Sequence, residues 1–430
     1  MNGFDAYKKH INPVLAELED LAGISQRFIR AEGCHIWDGQ GNCYLDFISG
    51  HGSQNLGHNP PEILNVIVES TQQQLLQVYG LGANPHMGNL AKKLVGLIGA
   101  PFEIAFFTNS GTEAVEGALK IARAASGRSH VLYCHGAYHG MTLGSLSMMA
   151  TGPWRDPNEP LLPGYIPVCF NDLDELRSAF HKYDVAAVVL EPIQVEGGIL
   201  LPQPGYLSGV KDLCQKHGAY LVLDEISTGM GRTGPLFAFQ HDNIVPDIIA
   251  MAKSFGGGII PMGAYLTTRD IFQRAYGSYE MCAAHHSTFG GNSLSCLTAL
   301  KTLELLTSSS ILEKVAEKGH HLLESLQKTL CPYSIVREVR GKGLLLGVEF
   351  FPSDHPWISW ENMELSAFKG HNSVPMLVMR HLLKNRIITQ ICGHNWNVLK
   401  IEPPLVVGRN DIDRFVDALN EAVDWIGSII

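Results

Sequence analysis

No cysteine pair, basic block or long apolar run organises this 430-residue chain. Its nine cysteines, Cys34, Cys43, Cys134, Cys169, Cys214, Cys282, Cys296, Cys331 and Cys392, are scattered, and no two stand in a C-x-x-C spacing. An odd, dispersed set predicts reduced thiols in a cytosolic, cytoplasmic protein, not a disulfide frame or a zinc site. Basic residues are outnumbered 42 to 32 by acidic ones, for a net charge of −10, and are nowhere massed. Nucleic acid is therefore not the expected partner. No run approaches the ~20 apolar residues that a membrane helix needs, so no membrane is expected either. The opening "MNGFDAYKKHINPVLAELEDL" lacks the apolar stretch of a signal peptide. Low-complexity segments and short-period repeats are missing too. With 45% hydrophobic residues, what is left is a globular chain of two or three structural units.

What is present is an alternation. "EIAFFT" (103–108) precedes the amphipathic "TEAVEGALKIARAA" (112–125), and "HVLYC" (130–134) follows. "VAAVVLEP" (185–192) precedes "GYLSGVKDLCQKHG" (205–218), then come "AYLVLDE" (219–225), "DIIAMAK" (247–253) and "GAYLTT" (263–268). Short Val/Ile/Leu-rich strands alternating with helices predict an α/β fold with a mostly parallel sheet covered on both faces. Residues 296–329 read as one continuous helix. "GLLLGVEFF" (343–351) reads as a strand, 352–370 as an irregular insert, and the end from Asp411 as an amphipathic helix. This texture predicts a large domain over 61–325 and a smaller one built from 1–60 and 326–430.

In open parallel sheets, ligands bind beyond the carboxyl ends of the strands, so the residues delivered there are the candidates. The run at 103–108 delivers "TNSGTEA". Ser110 with Glu113 has capping-box spacing, and a helix start at Gly111-Thr112 suits an anion such as phosphate. Taken alone, that stretch reads better as an ordinary capped helix. The run at 130–134 delivers "HGAYHG", where His135 and His139 have metal-pair spacing only if helical, and Tyr138 offers an aromatic plate. Glu191 ends one strand and Asp224 another. A buried acid there is either a structural ion-pair member or a functional group. Lys253 ends the next, just before Gly256-Gly257-Gly258. A lysine at that place either snorkels to solvent or is a desolvated nucleophile. An anion cradle, an aromatic plate, an acid and an amine in one cleft match what pyridoxal phosphate requires.

The ordered set "NSGTEA", "HGAYHG", "LEPIQVEGG", "DEISTGMGRTG", "AKSFGGGIIPMGA" and "HSTFGGNSLSC", together with "WDGQGNCYLDF" near one end and "KIEPPLVV" near the other, resembles the class-III pyridoxal-phosphate-dependent aminotransferases of fold-type I. That group includes ornithine, acetylornithine, 4-aminobutyrate and putrescine aminotransferases. The resemblance implies a fold-type I transferase with a seven-stranded sheet, pyridoxal 5'-phosphate as cofactor, and transamination between an amine and an oxo acid or aldehyde. It implies that Lys253 holds the cofactor covalently and moves the proton. Asp224 would keep the pyridine nitrogen protonated. Ser110, Gly111 and Thr112 would hold phosphate, Tyr138 would stack on the ring, and His139 and Ser227 would lie beside it. Thr288 would reach the phosphate of a neighbouring subunit, which requires a homodimer with shared active sites.

Two positions depart from the pattern of the ornithine and 4-aminobutyrate members. Their carboxylate-binding arginine is replaced by Lys400 in "LKIEPPL", while the glutamate that masks it is kept as Glu196. A lysine is a point charge without the bidentate fork of arginine. The expectation is an ion pair and a donor whose handle is a terminal primary amine. Ser227 stands where glutamine is frequent. Trp396, with Trp357, Trp360 and Phe368, either lines an apolar substrate channel or packs the smaller domain. A decarboxylase or aminomutase on the same scaffold, and a non-catalytic cofactor-binding regulator, are the competing readings.

Overall fold

The computed structural model describes residues 3–23, 25–363 and 365–430. A seven-stranded sheet fills the middle of the chain. Its strand order is Phe102–Thr108, Gly263–Thr268, Ile248–Met251, Tyr220–Asp224, Val185–Leu190, His130–Cys134, Tyr165–Val168. Of these, Gly263–Thr268 alone runs against its neighbours. Val185–Leu190 is buried at every position and so is Ile248–Met251, as expected for strands covered on both faces. Alternation along the strands divides the core. Val131, Tyr133, Ala187, Val189 and Val222 pack beneath helix Gly111–Ser126, while Leu132, Val188, Leu190, Leu221 and Leu223 face the opposite way.

The seventh strand, Tyr165–Val168, is not among the six runs read from the sequence. Its "YIPV" contains a proline, which lacks the N–H a central strand must donate, and it sits at the sheet edge where that is tolerated. The continuous helix expected over 296–329 is in fact two, Ser293–Ser308 and Ile311–Leu330. The break falls in a hydroxyl run. Thr307, Ser308 and Ser309 each bond a carbonyl four residues back, and Ser309 itself is extended at ψ 166°. The expected domain boundary at 325–326 lies inside the second of these helices. Position 364 of the polar insert lies outside the described residues.

The chain ends meet in two smaller sheets. Ile387–Ile388 pairs in parallel with Cys43–Asp46, and Val336–Lys342, Leu345–Phe350, Val398–Ile401 and Gln390–Ile391 form the other. Arg232, from the middle of the chain, ties both ends to it. It is 0% exposed; Nη1 donates to the carbonyls of Leu344 and Pro403, and Nη2 donates to Asn55 Oδ1. Arg232→Met keeps the volume and leaves these acceptors buried without a donor. At roughly 1–3 kcal/mol for each of the three lost partners, the expected loss is at least about 3 kcal/mol of stability, read as a lower urea midpoint. An unchanged midpoint would show that water replaces the guanidinium. Among the described residues no helix is long and apolar enough to cross a membrane.

Candidate active site

The loops leaving the strand ends at residues 108, 134, 190, 224 and 251 enclose a cavity of about 470 Å³. Ser110, Gly111, Thr112, Tyr138, His139, Asp224, Ser227 and Lys253 all line it. Residues far apart in the chain meet there because parallel strands deliver their carboxyl ends to one edge of the sheet.

The helix start at Gly111 is built by its caps. Ser110 Oγ accepts from the N–H of Glu113, and the Glu113 carboxylate reaches back to the N–H of Asn109 rather than that of Ser110. The N–H groups of Gly111 and Thr112 are left without a protein partner and point along the positive end of a 16-residue helix. Thr112 Oγ1 is held 2.7 Å from Thr142 Oγ1 and 3.0 Å from Ser145 Oγ. Glu116 anchors that loop through Thr142 Oγ1 and the N–H of Gly144. Gly140 has φ +119°, and a Cβ there would lie 2.5 Å from Thr112 Oγ1. The hollow around Thr112 exists because Gly140 carries no side chain.

Asp224 ends strand Tyr220–Asp224 and is 3% exposed. Its Oδ2 lies 2.7 Å from His139 Nδ1, and its Oδ1 accepts from the N–H of Ile226. Burial alone would lower the His139 pKa, but the hydrogen bond and charge of Asp224 prevail and raise it. Glu191, next to this pair, accepts from the N–H groups of Tyr138 and Val195, and burial lifts its carboxyl to about 7. Residues 135–142 form a loop, so His135 and His139 do not share a helix face.

Lys253 follows strand Ile248–Met251 in the left-handed region, φ +52°, an uncommon conformation for a residue with a side chain. Its Nζ donates to Ser227 Oγ at 2.7 Å and to no carboxylate. Burial lowers its pKa, against the opposing charges of Glu402, Glu196 and Asp224. The glycines after it serve packing as much as space. Gly257 presses on Ile63 and Gly258 on Gln54, and a Cβ would approach their atoms to 2.9 Å and 2.3 Å.

Behind this cavity stands a charged wall. Lys400, on strand Val398–Ile401, places Nζ 2.5 Å from Glu196 Oε1 and 3.8 Å from Glu402 Oε2. The Glu196 Oε2 atom accepts from the N–H of Gly393. Burial would raise the Glu196 carboxyl, but Lys400 holds it down at about 2. Burial would likewise lower Lys400, but Glu402 and Glu196 prevail and raise it. Glu196, Lys400 and Trp396 are not among the lining residues. Trp396 stacks on Phe368 and His371 in the insert. Thr288 is exposed and lines a separate hollow of about 240 Å³ with Tyr79, Asn84 and Ser287.

Several contributors escaped the sequence reading. Met141, Ile259, Ile260, Pro261 and Met262 give the cavity an apolar rim. Their signal was proximity to "YHG" and "SFGGG". Glu402 is 0% exposed and among the described residues neither of its carboxylate oxygens has a hydrogen-bond partner; its charge acts on Lys400, Arg232 and Lys253. The alternation in "KIE" was the available clue, because it puts Lys400 and Glu402 on one face.

Residues 23–423 match the aminotransferase class-III family. Solved structures agree. The ornithine aminotransferase of Toxoplasma gondii ME49 is 26% identical over 100% of this chain and 99% of its own, with a TM-score of 0.84. A Bacillus anthracis aminotransferase is 29% identical over 99% of this chain and 100% of its own, TM-score 0.85. The acetylornithine aminotransferase of Elizabethkingia anophelis is 26% identical over 96% and 99%, TM-score 0.76. The chain belongs to the class-III aminotransferases, a pyridoxal-phosphate-dependent family of fold-type I, and is an enzyme of the transaminase type.

Proposed function

We propose that this class-III aminotransferase holds pyridoxal 5'-phosphate in the 470 Å³ cavity and takes its amino group from a donor with a terminal primary amine and no carboxylate for the far wall to clamp. The residues present fit the cofactor. Two unpartnered N–H groups and the Thr112 hydroxyl would take its phosphate, in the hollow that a Cβ on Gly140 would fill. Tyr138 would stack on the ring, and Asp224 would pair with the ring nitrogen. When bound, the group supplies an electrophilic carbon for amine exchange and a protonated ring that stabilises negative charge on the substrate carbon.

The chain's own residues do the rest. Ser227 Oγ orients Lys253 Nζ within the cavity, and burial favours the neutral, nucleophilic amine. That same Nζ is the base that takes a proton from the donor's amine-bearing carbon and later returns it. His139 and the Ile226 N–H fix the Asp224 carboxylate, so its charge is already oriented when needed. Thr288, exposed and outside the cavity of its own chain, fits a role toward a second copy's phosphate, hence a homodimer. Leu81, Tyr279 and Phe289 are strongly exposed apolar residues suited to that interface.

The observation that carries the donor assignment is the wall. Its ammonium, Lys400, is held by Glu196 at 2.5 Å and faced by Glu402 at 3.8 Å, and among the described residues Lys253 is the sole Lys or Arg lining the cavity. A substrate carboxylate finds no free cation there. The test compares kcat/KM for ornithine, 4-aminobutyrate, putrescine and a simple alkylamine, with pyruvate or 2-oxoglutarate as acceptor. The carboxylate-free amines should lead. A bidentate arginine contact is worth about 1.5–3 kcal/mol, so Lys400→Arg should move preference toward carboxylate-bearing donors by some part of roughly ten- to a hundredfold. A wild-type enzyme that clearly prefers the amino acids would overturn the assignment.

A further inference from the structure

Trp154 stands at the outer side of the charged wall, on a loop that the chemistry above does not use. A Cβ on Gly393 would lie 2.6 Å from Trp154 Cη2, 2.9 Å from its Cζ3 and 3.2 Å from Glu196 Oε2. The indole edge and the Glu196 carboxylate therefore flank one point, and the ring fits there because residue 393 has no side chain. His394 backs the indole, with ring centroids 5.3 Å apart, and leans on Tyr138 at 6.1 Å. The His394 backbone N–H donates to Glu196 O, and its Nδ1 lies 3.1 Å from Gly136 O. A row of three rings thus runs from Tyr138, which lines the cavity, through His394 to the surface, where Trp154 is 45% exposed; the last two lie outside the cavity lining.

We infer that Trp154 is a specificity-determining residue whose indole forms the apolar wall for the donor's chain, and that the enzyme selects amines carrying a long alkyl or aryl group. The inference rests on the donor reading above, which places the far end of the substrate beside the Glu196–Lys400 pair. At that place a carboxylate meets a cation already satisfied, whereas a methylene chain or ring meets the indole edge and its backing imidazole. Burying such a group against an aromatic wall discriminates by roughly ten- to a hundredfold between long and short donors. The half-exposed ring is not fixed by the core, so its contacts with Gly393 and His394 set its position.

The experiment measures kcat/KM of the loaded enzyme for hexylamine and benzylamine against ethylamine. Wild type should favour the larger amines by about tenfold or more. Trp154→Ala should bring that ratio to near one by raising KM for hexylamine and benzylamine. Trp154→Phe should keep most of the preference. Gly393→Ala, which pushes the indole outward, should weaken the preference with Trp154 itself intact. Absorption of the bound cofactor reads whether each variant is loaded. A wild-type ratio near one, or a ratio unmoved in both Trp154→Ala and Gly393→Ala, overturns the inference while leaving the donor assignment standing. A preference for ornithine or 4-aminobutyrate over every plain amine overturns the donor assignment itself.

Discussion

Lys253→Ala should leave an enzyme that retains pyridoxal phosphate only non-covalently and transaminates at least roughly 10⁴-fold more slowly. On the proposed mechanism the variant removes both the covalent hold and the base at the substrate carbon, and among the described residues no other lysine lines the cavity. Lys400 is the next amine within electrostatic range, but it is buried between Glu196 and Glu402. Borohydride reduction of the loaded wild type, followed by peptide mass analysis, should place the cofactor on residue 253, with no fixed label in the variant. Near-normal turnover in Lys253→Ala, or label on another lysine, would remove Lys253 from the mechanism.

Asp224→Asn should lower kcat on the order of 10³-fold and loosen cofactor retention, with little change in KM for the amine. Asparagine retains an oxygen for one of the two donors that Asp224 now serves, His139 Nδ1 and the Ile226 N–H. The geometry survives; the negative charge does not. Losing that charge also removes the main influence that raises the His139 pKa against burial. A variant whose KM alone rises would make Asp224 a substrate contact, and the orientation of the ring would have to be reversed.

The strand ends were legible in the sequence because a charged residue closing an apolar run is conspicuous: Glu191, Asp224 and Lys253 are each the polar stop of such a run, and all three reach the cavity. What they touch was not legible. The 2.7 Å contact between His139 and Asp224 joins residues 85 apart, and no local pattern encodes it. The Ser293–Leu330 stretch misled because serine and threonine are tolerated in helices until several in a row offer the backbone alternative bonds. The aromatic insert was ambiguous for the opposite reason. Trp360, Phe368 and Trp396 pack on one another, and a self-contained cluster has the same composition as a channel lining. Trp154, isolated in a proline-rich stretch at 150–160 with no apolar neighbours of its size, carried no signal at all.

The Arg232 anchor also fixes when during synthesis the enzyme can be finished. Every cavity residue from Asn109 to Met262 has been translated long before Leu344 and Pro403, the carbonyls that complete the guanidinium's shell. A nascent chain can thus assemble the sheet and the phosphate hollow while a buried cation still waits for two of its acceptors. Lys400 and Glu402, the late part of the charged wall, leave the ribosome with those last acceptors. A chain that stopped between residues 268 and 399 would hold Lys253 and lack Lys400 and Glu402. A chain cut short of Leu344 and Pro403 keeps Asn55 as an acceptor for the buried guanidinium and loses the other two, so it should be less stable than the full-length chain.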